Sequence, residues 1–367
     1  MDLGEGFKEE KSVEKVFDKY MSDKYMSSAK VKCYQEGKFY FAWIEITNRC
    51  PASCLFCYGT SIDDKAEISL SPEKMREVID DLKDLQFHHV YWGGGEPLVY
   101  PHLFELMEYV AEKGMSNGVF SNGIPITQKM ANHICKAYER KLINVFGIHI
   151  DTLDQQIHNQ IHENPKELQA RIEGYRNLLD AGYPPDRILP CITLTHPSAQ
   201  TFEETFDWFI GEMGARFLEI MVFMPLSRGA KYACLEPSLS EVRRCYEYRA
   251  QRFGDPTWTR MGSTECTTIH CRTHFLLTSQ GDVMTCSCLP RDFAVGNVHE
   301  ERLKDIFDKH WESIALRDIT VKGKCADCEN NDICVGCRAK AYYYAGDISA
   351  SDPKCWLNPE AKETYFR

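Results

Sequence analysis

The sequence predicts an α/β fold built on a parallel sheet, followed by a smaller cysteine-rich unit. Between about Phe39 and Pro225, short β-prone runs alternate with amphipathic stretches at a regular spacing, the pattern of successive βαβ units. After Cys266 the texture changes to short turns and dense cysteine. The 367 residues suffice for one large unit with an appendage.

In order, the predicted strands are Ala42–Thr47, His89–Trp92, Ser116–Ser121, Asn144–Ile150, Ile188–Thr193 and Phe217–Phe223. The predicted helices between and after them are Pro72–Leu85, Pro101–Lys113, Thr127–Glu139, Glu167–Ala181 and Thr201–Met213. Six such repeats suit either an open doubly wound sheet or a partial barrel. Residues 1–38, charged and rich in Tyr and Lys, are expected to form one or two lead-in helices, too short for a complete peptide-binding domain. Residues 226–265 are expected to form a helical connection with Leu239–Arg252 as its helix, and residues 266–367 the second domain.

A net charge of −11 argues against a nucleic-acid partner held by bulk electrostatics. No run reaches the roughly 18 apolar residues of a membrane span, and the N-terminus has no apolar signal core, so a cytoplasmic protein is expected. Seventeen cysteines in a large chain without an export signal point to metal or cluster ligation rather than disulfides. Cys33, Cys135, Cys191, Cys245 and Cys234 stand apart from the clusters and read as small buried hydrophobes.

Two stretches carry chemistry in the first half. In EITNRCPASCLFCYG, residues 45–59, Cys50, Cys54 and Cys57 follow the first strand on one loop. Three thiolates there suit a soft metal centre, and they are one short of the four that an iron–sulfur cluster usually takes from protein. The second strand ends in YWGGGEPL, residues 91–98, where three glycines let backbone approach a ligand and Glu96 supplies an acceptor for a cationic amine. Ser121-Asn122-Gly123 ends the third strand and His149-Ile150-Asp151 the fourth. Each group alone reads as a cap or turn former. Together they mark one rim, the C-terminal end of a parallel sheet, where ligands bind.

This combination resembles the radical S-adenosylmethionine (SAM) superfamily over residues 40–225. The resemblance implies a partial (β/α)6 TIM-like barrel and a [4Fe–4S] cluster on Cys50, Cys54 and Cys57, its open iron chelated by SAM. One electron then cleaves SAM to methionine and a 5′-deoxyadenosyl radical, which abstracts a substrate hydrogen. It further implies that Gly94, Gly95 and Glu96 hold the methionine amine, that Phe56 borders the adenine, and that Ser121 and Asp151 contact the ribose or methionyl part. His149 stands where the family often has Ser, which leaves a cofactor contact and a substrate-side acid/base both open.

The C-terminal cysteines form Cys271-x9-Gly281-x4-Cys286, then Cys325-x2-Cys328-x5-Cys334-x2-Cys337, then Cys355. A zinc ribbon is the competing reading, but it needs only four ligands. The pattern resembles the SPASM extension of radical SAM enzymes. That implies two auxiliary [4Fe–4S] clusters, one on Cys266, Cys271, Cys286 and Cys337 and one on Cys325, Cys328, Cys334 and Cys355, making three in all. The family usually has three residues, not two, between the last pair of the central motif, and Cys288 is left over.

Most of this family acts on ribosomal peptides by crosslinking, oxidation or epimerisation. A smaller group decarboxylates haem precursors or modifies sugars and aminocyclitols, and the expectation that residues 1–38 hold no complete recognition domain pulls toward it. The resemblance also implies an external one-electron donor of flavodoxin or ferredoxin type and allows a separate peptide-recognition protein. Ser287 and Cys288 follow Cys286 where sulfatase maturases carry an aspartate base, leaving Asp292 or His149 as acid/base candidates, and Arg228 at the barrel mouth for an anionic substrate. His158 and His162 have i, i+4 spacing, and a solvated helix face is their expected setting. A cluster- or zinc-carrying protein without enzymatic activity is the remaining alternative. It leaves the GGGE strand end and the Cys50 loop without a task.

Overall fold

The computed structural model describes residues 28–59 and 66–367, so most of the lead-in stretch lies outside the described residues. Its described part is helix α1 (Ser28–Gln35). Six parallel strands follow in sequential spatial order: β1 (Phe41–Thr47), β2 (His89–Gly94), β3 (Ser116–Ser121), β4 (Val145–His149), β5 (Ile188–Leu194) and β6 (Glu219–Val222). The connecting helices are α2 (Pro72–Asp84), α3 (Leu103–Glu112), α4 (Gln128–Glu139), α5 (Gln155–Ile161), α6 (Glu167–Asp180) and α7 (Phe202–Asp207). The result is a partial (β/α)6 barrel. The six strands fall where the sequence predicts them, with ends shifted by at most two residues, because buried parallel strands are almost continuously apolar: every residue of β5 is buried.

Helix starts follow local chemistry. Ser71 accepts a hydrogen bond from the Lys74 amide and Pro72 opens α2, whose Met75, Val78, Ile79 and Leu82 form the buried stripe. The predicted helix over Thr201–Met213 is instead α7 followed by a wide π turn at Trp208–Glu212. That turn lets the neighbours Trp208 and Phe209 both reach the core.

Inside the barrel, aromatic rings alternate with glycines across adjacent strands. A Cβ on Gly118 would lie 2.5 Å from the Tyr91 ring, one on Gly147 2.3 Å from Phe120, and one on Gly93 3.1 Å from Trp43. Each ring on one strand therefore lies over the glycine of the next, and Trp43, Tyr91 and Phe120 pack together with centroids 4.8–5.8 Å apart.

The connection after β6 contains α8 (Leu239–Phe253), opened by a Ser238/Glu241 capping box and closed on Gly254. The cysteine-rich part does not begin as a detached unit. After α9 (Thr268–Cys271), strand β7 (His274–Leu277) pairs parallel with β1, and β8 (Asp282–Met284) and β9 (Gly296–Asn297) add antiparallel, giving a nine-stranded sheet among the described residues. Helices α10 (Leu303–Ile314) and α11 (Arg338–Ala345) complete the chain. No described helix is long and apolar enough to cross a membrane.

Candidate active site

The loop after β1 is held against the end of β2 by backbone alone. Gly95 N donates to Thr47 O at 2.7 Å and Glu96 N to Arg49 O at 2.8 Å. A Cβ on Gly94 (φ +116°) would stand 2.6 Å from Thr47 O, and one on Gly95 2.4 Å from Arg49 O. Only glycine permits this approach, so the GGGE run is the seat of the cysteine loop. Cys50, Cys54 and Cys57 line one cavity of about 600 Å³, together with Gly93, Gly94, Gly95, Ser121, Asn122 and His149. Cys266, Cys271, Cys286 and Cys337 line the same cavity from the other side, as does the buried Cys288.

The sulfurs meet N–H donors, as thiolate ligands of a metal centre would require. Ala52 N and Asn122 Nδ2 each lie 3.4 Å from Cys50 Sγ, and Arg171 Nη2 lies 3.2 Å from Cys54 Sγ. Burial raises the Cys54 thiol, but the charges of His162 and Arg171 more than offset it and bring it down to about 7. Burial, then the Cys54 charge, push Cys57 up to about 12.

Glu96 is 0% exposed and stands behind the glycines rather than on the cavity wall. Its Oε1 accepts from Leu98 N at 3.1 Å and its Oε2 from Asn122 N at 2.7 Å. Burial nevertheless pushes the carboxyl up to about 7, against the hydrogen bonds of Asn122, Leu98 and Ser121. A carboxyl held that high is short of positive charge, which an ammonium group on the adjacent wall would supply. Phe56 and Ser121 line the cavity; the Phe56 ring stands edge-on to His149 and His162.

Asp151 is expected as a cofactor contact. It is absent from the cavity wall, and its oxygens are bonded to Thr193 N at 2.8 Å, His149 Nε2 at 3.1 Å and His162 Nε2 at 3.3 Å. Burial opposes ionisation, yet the charges and hydrogen bonds of His149 and then His162 hold the carboxyl well below the usual carboxylate range. It orients the two rings. Of the acid/base and substrate candidates, His149 alone lines the cavity, with its side chain 23% exposed and Nε2 also 3.0 Å from Thr193 Oγ1. Asp292 sits on an exposed turn away from the cavity, because the 3-10 segment Arg291–Phe293 carries it outward. Arg228 approaches Cys54 O at 3.4 Å, a clasp on the cysteine loop rather than a cavity group.

His158 and His162 are buried, at 2% and 3% exposure, against the expectation of a solvated face. The segment after α5 folds over the cysteine loop, pairing His162 with Cys54 as a β-bridge, so both rings turn inward and stack at 4.1 Å. His158, His162 and Glu167 bring donor atoms within 4.8 Å of one another. Arg171 meets two of the three, with Nη2 3.5 Å from His162 Nδ1 and 3.4 Å from Glu167 Oε2, so a guanidinium already occupies that side of the group. Arg171 and Glu167 were not anticipated. The available signal was a charged residue on the apolar stripe of α6, among Leu168, Tyr175 and Leu178.

The C-terminal cysteines separate at one turn. Gly336 (φ +70°) lies between Cys334 and Cys337, and a Cβ there would stand 2.8 Å from Cys325 Sγ. Cys337 faces the cavity beside Cys286, whereas Cys334 is buried away from it near Cys355. Two intervening residues thus suffice to turn the two sulfurs to different sides. Gly336 N donates to Cys334 Sγ at 3.3 Å and Asp352 N to Cys325 Sγ at 3.3 Å. The Asp352 carboxylate accepts from Cys337 N at 3.0 Å, joining the two groups. Cys33, Cys135, Cys191 and Cys245 are buried as expected; Cys234 is exposed on the 3-10 segment Ser227–Leu235 and is not a core residue.

Residues 44–209 match the model of the radical SAM superfamily, and residues 266–329 that of the SPASM iron–sulfur cluster-binding domain. Together the two matches span more than half of the chain. The chain is a radical SAM enzyme with a SPASM extension. It is similar to an AdoMet-dependent heme synthase of Methanosarcina barkeri, 25% identical over 88% of this chain and 97% of that protein. It is also similar to mycofactocin maturase MftC of Mycolicibacterium smegmatis, 24% identical over 85% of this chain and 81% of that protein. Its fold matches anSMEcpe with bound AdoMet (TM-score 0.66, 18% identity, 88% and 93% of the two chains). It also matches Streptococcus suis SuiB bound to precursor peptide SuiA (TM-score 0.68, 18% identity, 89% and 79%). Iron–sulfur chemistry and SAM are thus the currency of this enzyme. Cys334, Cys337 and Cys355 lie beyond the matched part of the SPASM model.

Proposed function

We propose that this enzyme abstracts a hydrogen atom from a ribosomal peptide during its maturation. When bound, a [4Fe–4S] cluster on Cys50, Cys54 and Cys57 supplies the electron that converts SAM to methionine and a 5′-deoxyadenosyl radical. Gly94 and Gly95 present backbone to the methionine amine, with the Glu96 charge directly behind them. Ser121 borders the methionyl or ribose part and Phe56 the adenine. His149, oriented by Asp151, is the substrate-side acid/base. Cys266, Cys271, Cys286 and Cys337 hold one auxiliary cluster, and Cys325, Cys328, Cys334 and Cys355 the other. Full thiolate ligation suits them to electron transfer, fed by an external flavodoxin- or ferredoxin-type donor. We place the enzyme in the cytoplasm, where thiols stay reduced.

One observation carries the substrate reading. A single cavity of about 600 Å³, mid-range for one ligand, serves the cysteine loop, the strand-end rim and the first auxiliary group together. Such shared space favours a substrate that inserts one residue over one that enters whole. The second reading, decarboxylation of a haem precursor, is favoured by the heme synthase relative, which this chain spans at 97% of its length. Reduced enzyme and SAM would be supplied in parallel with any short Cys- or Trp-containing precursor peptide that a neighbouring gene encodes and with a tetrapyrrole haem precursor. A mass change in the peptide is the expected outcome; loss of carbon dioxide from the tetrapyrrole with an unchanged peptide would overturn the peptide reading.

A further inference from the structure

We infer that Arg171 is a positioning residue that sets how readily the centre on Cys50, Cys54 and Cys57 accepts its electron, an inference that rests on the proposed assignment of those three cysteines. Arg171 is 1% exposed. Its Nη1 donates to His149 O at 3.0 Å, and its Nη2 lies 3.2 Å from Cys54 Sγ and 3.4 Å from Glu167 Oε2. A guanidinium does not deprotonate in a protein, so this is a permanent cation bonded to a ligand sulfur.

The geometry is fixed by the loop's other ties. Leu55 N donates to Ile161 O at 3.0 Å, Glu163 N to Ser53 O at 3.2 Å and Asn164 N to Ser53 Oγ at 3.0 Å. Ser53 Oγ in turn donates to Glu167 Oε1 at 2.7 Å. The cysteine loop, the turn before α6 and the start of α6 therefore form one hydrogen-bonded unit, with Arg171 in its middle.

A cluster's potential follows its net charge, the hydrogen bonds to its sulfurs and its exposure to solvent. Gaining one electron adds negative charge, which a cation in a water-poor pocket stabilises more than it would at the surface. Glu167 acts in the opposite sense, because its carboxylate competes for the same guanidinium. Removing the Arg171 charge leaves only the His162 and His149 rings against the carboxylates of Glu167 and Asp151 beside the centre and makes reduction harder. Removing the Glu167 charge leaves Arg171 to the sulfur and makes reduction easier. A packing role for either residue predicts no such pair of opposite signs.

The test is a potentiometric titration of the anaerobically reconstituted full-length enzyme, following the electron paramagnetic resonance signal that changes shape when SAM is added. Arg171→Met is expected to lower the midpoint potential of that signal, Glu167→Gln to raise it, and Arg171→Lys to stay closer to the unmodified enzyme. Signals insensitive to SAM should keep their potentials. Unchanged potentials, or shifts of the same sign in Arg171→Met and Glu167→Gln, would overturn the inference. Should Arg171→Met fail to take up iron, Glu167→Gln decides alone, and a potential that does not rise overturns it. An unmodified enzyme with no SAM-sensitive signal would instead overturn the cysteine assignment itself.

Discussion

Cys54 and Cys57 share one short loop yet meet different surroundings. His162 and Arg171 bring the Cys54 thiol down to about 7 despite its burial, whereas burial and then the Cys54 charge hold Cys57 near 12. The thiolate is the nucleophile, so within this loop of the metal-free protein alkylation should favour Cys54 and accelerate as pH rises through about 7, with Cys57 slow until far higher pH. Peptide mass mapping after iodoacetamide treatment would show it; faster labelling of Cys57 than of Cys54 at neutral pH would contradict the account. Glu96 makes a second residue-level prediction. Gln in its place sets a donor against an amide that now donates, Leu98 N or Asn122 N, at a cost of about 1–3 kcal/mol, and it removes the charge behind the glycines. Glu96→Gln should weaken SAM binding about tenfold or more by isothermal titration under anaerobic conditions, while iron content stays unchanged.

The elements were the most legible part of the sequence. Ser116–Ser121 is a strand at the predicted bounds, and Pro72, Glu167 and Leu239 open helices at the predicted residues. Period, capping residues and continuous apolar runs are local signals, and these segments carry them undiluted. What faced what was harder to read. The i, i+4 spacing of His158 and His162 is equally good for a wet and a dry face, and only the return of the chain over the Cys50 loop decides it. Asp151 ends a strand on the right rim, but its side chain turns back to Thr193 and two histidines. Gly118 of β3 and Gly147 of β4 have their reason in the ring on the preceding strand. Gly147→Ala puts a methyl 2.3 Å from the Phe120 ring and should lower stability by about 1–3 kcal/mol through overpacking, read as a drop in denaturation midpoint. A midpoint that does not fall would show that Phe120 gives way freely.

On the scale of the whole molecule, the chain's end is clasped into the connection between its halves. Lys354, fully buried, pairs with Glu236 at 2.9 Å, and Glu236 also accepts the amides of Tyr365 and Phe366 at 2.8–3.0 Å. Lys354→Met leaves that carboxylate buried without its cation and should cost about 3–5 kcal/mol, with the cost appearing in the holoenzyme's chemical denaturation curve. Lys354 neighbours Cys355, so the clasp also fixes the last ligand of the proposed second auxiliary centre. The interleaved assignment predicts about twelve iron and twelve sulfide per chain, the content of three four-iron clusters. About four would remove both auxiliary centres.

The central claim is tested most directly by mixing anaerobically reconstituted enzyme with SAM and dithionite and measuring 5′-deoxyadenosine. The account predicts that the unmodified enzyme forms it, that Cys325→Ala still forms some, and that Cys57→Ala forms none. No product from the unmodified enzyme, or undiminished product from Cys57→Ala, would contradict the placement of radical generation at the loop after β1.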